Sequence, residues 1–203
     1  MSAPPGRTGG PEADAAAAVR AVRRIGFRGK RVFFVVAIAV FALDWVTKAW
    51  AFAAVARDGV PSKLHGGQPA IEIVPGFFYL VDAWNPGGIW GIAQTGLASQ
   101  LLVVFRAIAA PALVVLAGLT PVSERRVLWA YALFCAGALG NLYDNVVYSE
   151  RGVRDFLDFF LVGPNGYHYP TFNIADASIV CAAGLILLDL VRPRAGAKPS
   201  PPA

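Results

Sequence analysis

Charge is scarce in this chain of 203 residues: Asp, Glu, Lys and Arg make up only 15% of it, against about a quarter in a soluble globular domain. With 56% hydrophobic residues and a mean hydropathy of +0.53, that shortage excludes a cytosolic domain and a disordered chain. Cysteine is nearly absent as well. Cys135 and Cys181 both lie inside apolar runs, which excludes a disulfide-stapled secreted scaffold and a cysteine zinc site, and each reads as a small buried hydrophobe. Histidine occurs twice, at His65 and His168, both expected in loops. With no His-Glu-x-x-His and no Gly-x-Ser-x-Gly pattern, zinc and serine-triad chemistry have no foothold. The net charge of +5 raises nucleic acid as a partner. The basic residues flank apolar segments instead of forming a stripe, so no nucleic acid is expected and they read as topology signals.

What is present in abundance is length of apolar chain. A spanning helix needs about 20 mostly apolar residues, and four stretches qualify, at about 32–56, 97–120, 127–148 and 172–191. A cleavable signal peptide is the competing reading of the first, but that run is long and lacks a small-residue cleavage site close behind it, so it reads as a retained helix. Arg7, Arg20, Arg23, Arg24, Arg28, Lys30 and Arg31 precede the first span, Arg125 and Arg126 lie between the second and third, and Arg192, Arg194 and Lys198 follow the fourth. All fall on one side of a four-span topology, which puts both termini in the cytoplasm. The domain organisation expected is a disordered basic tail over 1–31, a membrane domain over 32–191 and a second disordered tail over 192–203. On the outward side, Ala70 to Val81 alternates β-branched and aromatic residues around a Pro-Gly turn and predicts a short β-hairpin.

Ionisable groups at membrane depth are expensive and mark function by default. Asp44 and Lys48 share one face of the first span, four residues apart. Arg106, in the second, has two readings, a cation paired with a neighbouring carboxylate or a snorkelling one. The third span ends in Ala136-Gly-Ala-Leu-Gly140-Asn141-Leu-Tyr-Asp144-Asn145, where small residues admit a close neighbour and Asn141 and Asp144 share a face. The fourth opens with Thr171-Phe-Asn173-Ile-Ala175-Asp176, where Thr171 or Asn173 is a helix-cap candidate. Between them runs Val153-Arg154-Asp155-Phe-Leu-Asp158, in which the two acids share a helical face or take opposite faces of a strand. An amphipathic interfacial segment is the plainer reading. Antiparallel packing gathers Asp144, Asp155, Asp158 and Asp176 at the outer boundary. Two carboxylates in a partly dry site share a proton and suit water activation, but composition and position do not choose the pair among the four.

These residues resemble the lipoprotein signal peptidases (signal peptidase II), bacterial intramembrane aspartyl proteases. The blocks run in order over about Leu43 to Ile179: Asp44 to Lys48 for Asp-x-x-Thr-Lys, Asn85-Pro-Gly87 for Asn-x-Gly, Gly140 to Asp144 for Gly-Asn-x-x-Asp, Val153 to Phe156 for Val-x-Asp-Phe, and Phe172 to Asp176 for Phe-Asn-x-Ala-Asp. The resemblance implies an all-α four-transmembrane-helix bundle with a small outward-facing β-cradle or hairpin and an interfacial segment. It implies Asp155 and Asp176 as the catalytic pair, with Asp44, Lys48, Asn85, Gly87, Gly140, Asn141, Asp144, Asn173 and Ala175 supporting the site or binding substrate. It further implies a monomer with no metal or cofactor, in contact with membrane lipids. This enzyme of the bacterial inner membrane would cut diacylglyceryl-modified prolipoproteins on the amino side of the lipidated cysteine.

Departures from the family pattern are Asn145 where Arg is usual, Ala136 where Gly is common, and Gly88-Ile89-Trp90 after the Asn85 block. Arg154 and Arg106 are the candidates for the missing cation. Trp45, Trp50, Trp84 and Trp90 read as an interfacial aromatic belt. Two other readings compete with the peptidase. A proton-coupled carrier needs a polar path that Asp44, Lys48, Arg106 and Asp189 are too sparse to supply, and a non-catalytic lipoprotein-binding relative would have little reason to retain both Asp155 and Asp176.

Overall fold

The computed structural model describes residues 26–86, 97–161 and 167–191. Residues 1–25 and 192–203 of the expected tails, and the segment that holds Gly87, Gly88, Ile89 and Trp90, lie outside the described residues. Among the described residues there are four long helices, α1 (Arg31–Asp58), α2 (Leu97–Leu119), α3 (Arg125–Val147) and α4 (Ile174–Val191). Five strands are interleaved with them: β1 (Val60–Pro61), β2 (Pro69–Val74), β3 (Phe78–Asn85), β4 (Val153–Leu161) and β5 (Tyr167–Phe172).

Three of the four expected spans, α1, Ser99–Leu119 of α2, and α4, are long and apolar enough to cross a membrane. The remaining helix, α3, has spanning length but carries Arg125, Arg126, Asn141, Asp144 and Asn145. It packs against each of the other three helices, so its Asn141 and Asp144 are buried in protein. Residues such as Val35, Ile38, Ile108 and Leu190 are exposed on the bundle's exterior, as suits helices that face lipid.

Between helices in lipid, apolar burial contributes little and close packing contributes much. The α1–α2–α3 core is built from Phe33, Val36, Leu113, Ala117, Leu128 and Cys135. Where α3 crosses α4, a Cβ on Gly137 would lie 2.5 Å from the Ala175 carbonyl oxygen. At the start of α1, Lys30 donates from Nζ to the Ala117 oxygen at 2.7 Å and to the Gly118 oxygen. A cation thereby caps the C-terminal carbonyls of α2. Cys135 is buried as expected, but Cys181 is exposed, because it lies on the outer surface of α4 and not in the helix contact.

The expected hairpin is present as β2 and β3, and it is part of a larger antiparallel sheet in the order β1-β2-β3-β4-β5. The stretch expected as an interfacial segment is instead strand β4, paired on both edges, with Ala83 opposite Asp155 and Leu157 opposite Phe172. Pairing on two sides satisfies backbone groups that the membrane boundary would otherwise strand. One face of the sheet rests on the end of α1, where Ala51 and Val55 pack against Leu80 and Phe156. The turn into β4 needs glycine at 152, where φ is +96° and a Cβ would strike the Asn85 carbonyl oxygen. Phe172 ends β5 and is not the start of the last span, because Asn173 caps α4: its Oδ1 accepts the Asp176 amide at 2.9 Å, and Asp176 Oδ2 accepts the Asn173 amide at 3.3 Å.

Candidate active site

The polar residues of α1 and α3 meet first. Lys48 Nζ lies 2.7 Å from Asp44 Oδ2, 3.2 Å from Asp144 Oδ2 and 3.1 Å from Asn141 Oδ1, with all four side chains buried. Arg154, at the start of β4, closes the cluster: its guanidinium donates to Asp144 Oδ1 at 2.8 and 3.1 Å, and its backbone amide donates to Asp144 Oδ2 at 3.0 Å. Two anions and two cations thus neutralise one another, which is the condition for burying any of them. Asp44 Oδ1 also accepts the Ala175 amide at 2.8 Å, an otherwise orphan donor in the first turn of α4. Gly140 makes this approach possible, because a Cβ there would lie 2.5 Å from Asp44 Oδ2 and 3.2 Å from the Ala175 Cβ.

Against this neutral cluster stand Asp155, from β4, and Asp176, from the first turn of α4. Asn173 joins them: its Nδ2 donates to Asp155 Oδ1 at 2.6 Å while its Oδ1 accepts the Asp176 amide. Asn85, at the end of β3, donates to Asp155 Oδ2 at 2.9 Å, and Asn141 donates to Asp176 Oδ1 at 2.8 Å. Asp155 is fully buried, whereas Asp176 is half-buried and opens on a pocket of about 490 Å3 lined by Phe159, Tyr169, Phe172, Val180 and Cys181. Burial, followed by the charge of Asp176, pushes the Asp155 carboxyl up to about 7, against the opposing pull of the Asn85 and Asn173 amides and of Lys48. A carboxyl that keeps its proton to neutrality beside a second carboxyl has the chemistry an acid–base pair requires.

The other two acids of the expected cluster are held elsewhere. Asp144 is consumed by Lys48 and Arg154. Asp158 faces His65, whose Nε2 is 2.6 Å away, and His168 Nε2. His65 Nδ1 reaches Ser62 Oγ at 2.8 Å, and its ring packs edge-on against Tyr79 and Phe160. His168 lies on strand β5 and not in a loop. The expectation of two loop histidines missed this cluster, and nothing in sequence spacing could have found it, since His65 and Asp158 are 93 residues apart. Arg106 meets no carboxylate within ion-pair distance among the described residues; its Nη1 donates to Asn145 Oδ1 at 2.6 Å. Of the expected site residues, Gly87 alone lies outside the described residues.

A protein-family model for signal peptidase II matches residues 36–192. The chain is 35% identical over 162 residues to the lipoprotein signal peptidase of Sulfurihydrogenibium sp. (strain YO3AOP1), covering 76% of this chain and 88% of that protein. It is 32% identical over 162 residues to that of Solibacter usitatus (strain Ellin6076), covering 78% and 90%. Among solved structures it is similar to a bacterial membrane enzyme determined in meso at 2.3 Å resolution, with a TM-score of 0.64 at 26% identity, covering 88% of this chain and 98% of that one. A second bacterial membrane enzyme, at 1.9 Å resolution, gives a TM-score of 0.60 at 27% identity, covering 84% and 98%.

Proposed function

This chain belongs to the signal peptidase II family, and from that premise we propose that it is an aspartyl endopeptidase whose catalytic pair is Asp155 and Asp176. It is an integral protein of the bacterial inner membrane that removes signal peptides from prolipoproteins. The single observation that carries the aspartyl reading is the Asn173 side chain, which holds the fully buried Asp155 and the pocket-facing Asp176 at once.

The pair works with one proton between its two carboxyls. A water set between them gives a proton to the ionised member as its oxygen attacks the scissile carbonyl, and the protonated member donates to the developing oxyanion. In the collapse, the amine of the lipidated cysteine leaves with the proton taken from water, so one proton remains on the pair and the cycle closes. Asn85, Asn141 and Asn173 keep the two carboxyls aimed while they exchange charge. Asp44, Lys48, Asp144 and Arg154 form the rigid neutral base beneath them.

The substrate is a diacylglyceryl-modified prolipoprotein cut on the amino side of that cysteine, and the apolar pocket beside Asp176 suits an acyl chain or an apolar side chain next to the scissile bond. All four helices span the membrane, with both termini in the cytoplasm and the sheet outside. Arg28, Arg31, Arg125 and Arg126 lie at the helix ends away from the sheet, which supports this orientation. The chain acts as a monomer.

The test is a gel-shift cleavage assay with detergent-purified protein and lipidated prolipoprotein, with unlipidated precursor as control. Cleavage of the lipidated form, lost in Asp155→Asn and in Asp176→Asn while both variants still insert, is the expected result. Full activity in either variant overturns the pair.

A further inference from the structure

The charges around the carboxylate pair do not balance unless one more residue is counted. Asp44 and Lys48 on α1, Asp144 on α3 and Arg154 on β4 cancel one another through contacts of 2.7 to 3.2 Å. Asp155 and Asp176 with one shared proton leave a net charge of −1 in a site where Asp155 is fully buried. A charge so placed is retained only with a compensating partner. Asp158 is on the other side of β4 with His65 and His168, and Glu150 is exposed in the turn after α3, beside the cavity that Asn145 lines.

Arg106, half-buried on α2, has no carboxylate within ion-pair distance among the described residues. It is held by one hydrogen bond, to Asn145. Asn145 is one helical turn beyond Asn141 on the same face of α3, and Asn141 is the residue that donates to Asp176. The guanidinium therefore sits on the pair's side of α3, one helical turn from the residue that binds Asp176. A guanidinium has five N–H donors in a fixed fork, and Asn145 takes one.

We infer that Arg106 is the counter-ion of the carboxylate pair, delivered from α2 and aimed by Asn145 as a positioning residue. The inference rests on the assignment of Asp155 and Asp176 as the catalytic pair. It assigns Asn145 the task of orienting a cation that belongs to a different helix, so moving the cation across the contact from α2 to α3 should preserve function.

The experiment compares wild type, Arg106→Gln, Arg106→Lys, Arg106→Asn and the exchange Arg106→Asn/Asn145→Arg as full chains, reading cleavage rate against pH and thermal unfolding in detergent. Removing a unit charge from a partly dry site should lower kcat/KM on the order of tenfold to a hundredfold in Arg106→Gln. The alkaline limb of its profile should move to higher pH, since a lost cation makes the second proton harder to remove. Arg106→Lys should keep the wild-type limb, and the exchange variant should recover most of the rate lost in Arg106→Asn. A wild-type rate and profile in Arg106→Gln, or a folded exchange variant no faster than Arg106→Asn, overturns the inference. Should Arg106→Gln fail to fold, a folded Arg106→Lys with a displaced limb does so instead. Retained cleavage in Asp155→Asn would sink the underlying pair, a distinct outcome.

Discussion

Asp155 and Asp158 are three residues apart on β4 and have no partner in common: Asp155 accepts from Asn85 and Asn173, and Asp158 is hydrogen-bonded to His65 and His168. An odd step along a strand puts them on opposite faces of the sheet, so chemistry and scaffold are separated within four residues. Asp158→Asn should leave kcat within about twofold of wild type while it lowers stability by about 1–3 kcal/mol, the cost of disrupting a buried hydrogen-bonded acceptor. Parallel cleavage and thermal-unfolding measurements check this, and a loss of kcat comparable to that of Asp155→Asn would contradict it.

The proton on Asp155 predicts opposite effects on rate and stability. Its carboxyl is raised from the ordinary 3.8 to about 7, so the folded state binds that proton more tightly than the unfolded chain does. The stability it contributes is full below about pH 4 and is lost as pH rises through about 7. Cleavage by wild type should decline above about pH 7, where the pair loses its shared proton. At pH 8, Asp155→Asn should be inactive yet at least as stable as wild type. A wild-type rate that is flat to pH 9 would contradict the assignment.

Asn173 both caps α4 and joins the two acids, and the two tasks can be separated. Asn173→Ala loses both, at about 1 kcal/mol for the cap. Asn173→Ser keeps an oxygen for the cap but has no amide to reach Asp155. Both variants should lose cleavage by roughly a hundredfold, the scale of removing one placed donor, and only the alanine variant should also melt lower. If the serine variant cleaved at the wild-type rate, the joining role would be excluded.

Gly140 should tolerate no side chain. Gly140→Ala puts a methyl 2.5 Å from Asp44 Oδ2, and overpacking of this kind costs about 1–3 kcal/mol. Gly184→Ala on α4 meets nothing within 4 Å and should be neutral or slightly stabilising. Thermal midpoints of the two variants decide it, and equal midpoints would mean that α1 and α3 can part without cost.

The helices were legible in the sequence because hydropathy over about 20 residues is a strong signal and needs no knowledge of partners. The sheet was legible only at β2 and β3, where alternation surrounds Pro75-Gly76. β4 holds apolar residues on both faces with two acids among them, a pattern that fits a strand or an interfacial helix equally. β5 runs into α4 through the apolar Phe172 and so looked like the start of a span. Site residues were legible where they stand in compact blocks, such as Asn173 to Asp176. What spacing could not supply were contacts made across the fold: Arg106 to Asn145, 39 residues apart, and His65 to Asp158, 93 apart.

The ion pairs also bear on how the chain enters the membrane during synthesis. Asp44 and Lys48 neutralise each other within a single helical turn of α1. Asp144 and Arg154, ten residues apart, can do the same while α2, α3 and β4 are still emerging. Both pairs can therefore form before the elements dock, and the folded structure keeps them both. The Lys48–Asp144 contact is then the link that docking adds, joining one pair to the other across α1 and α3.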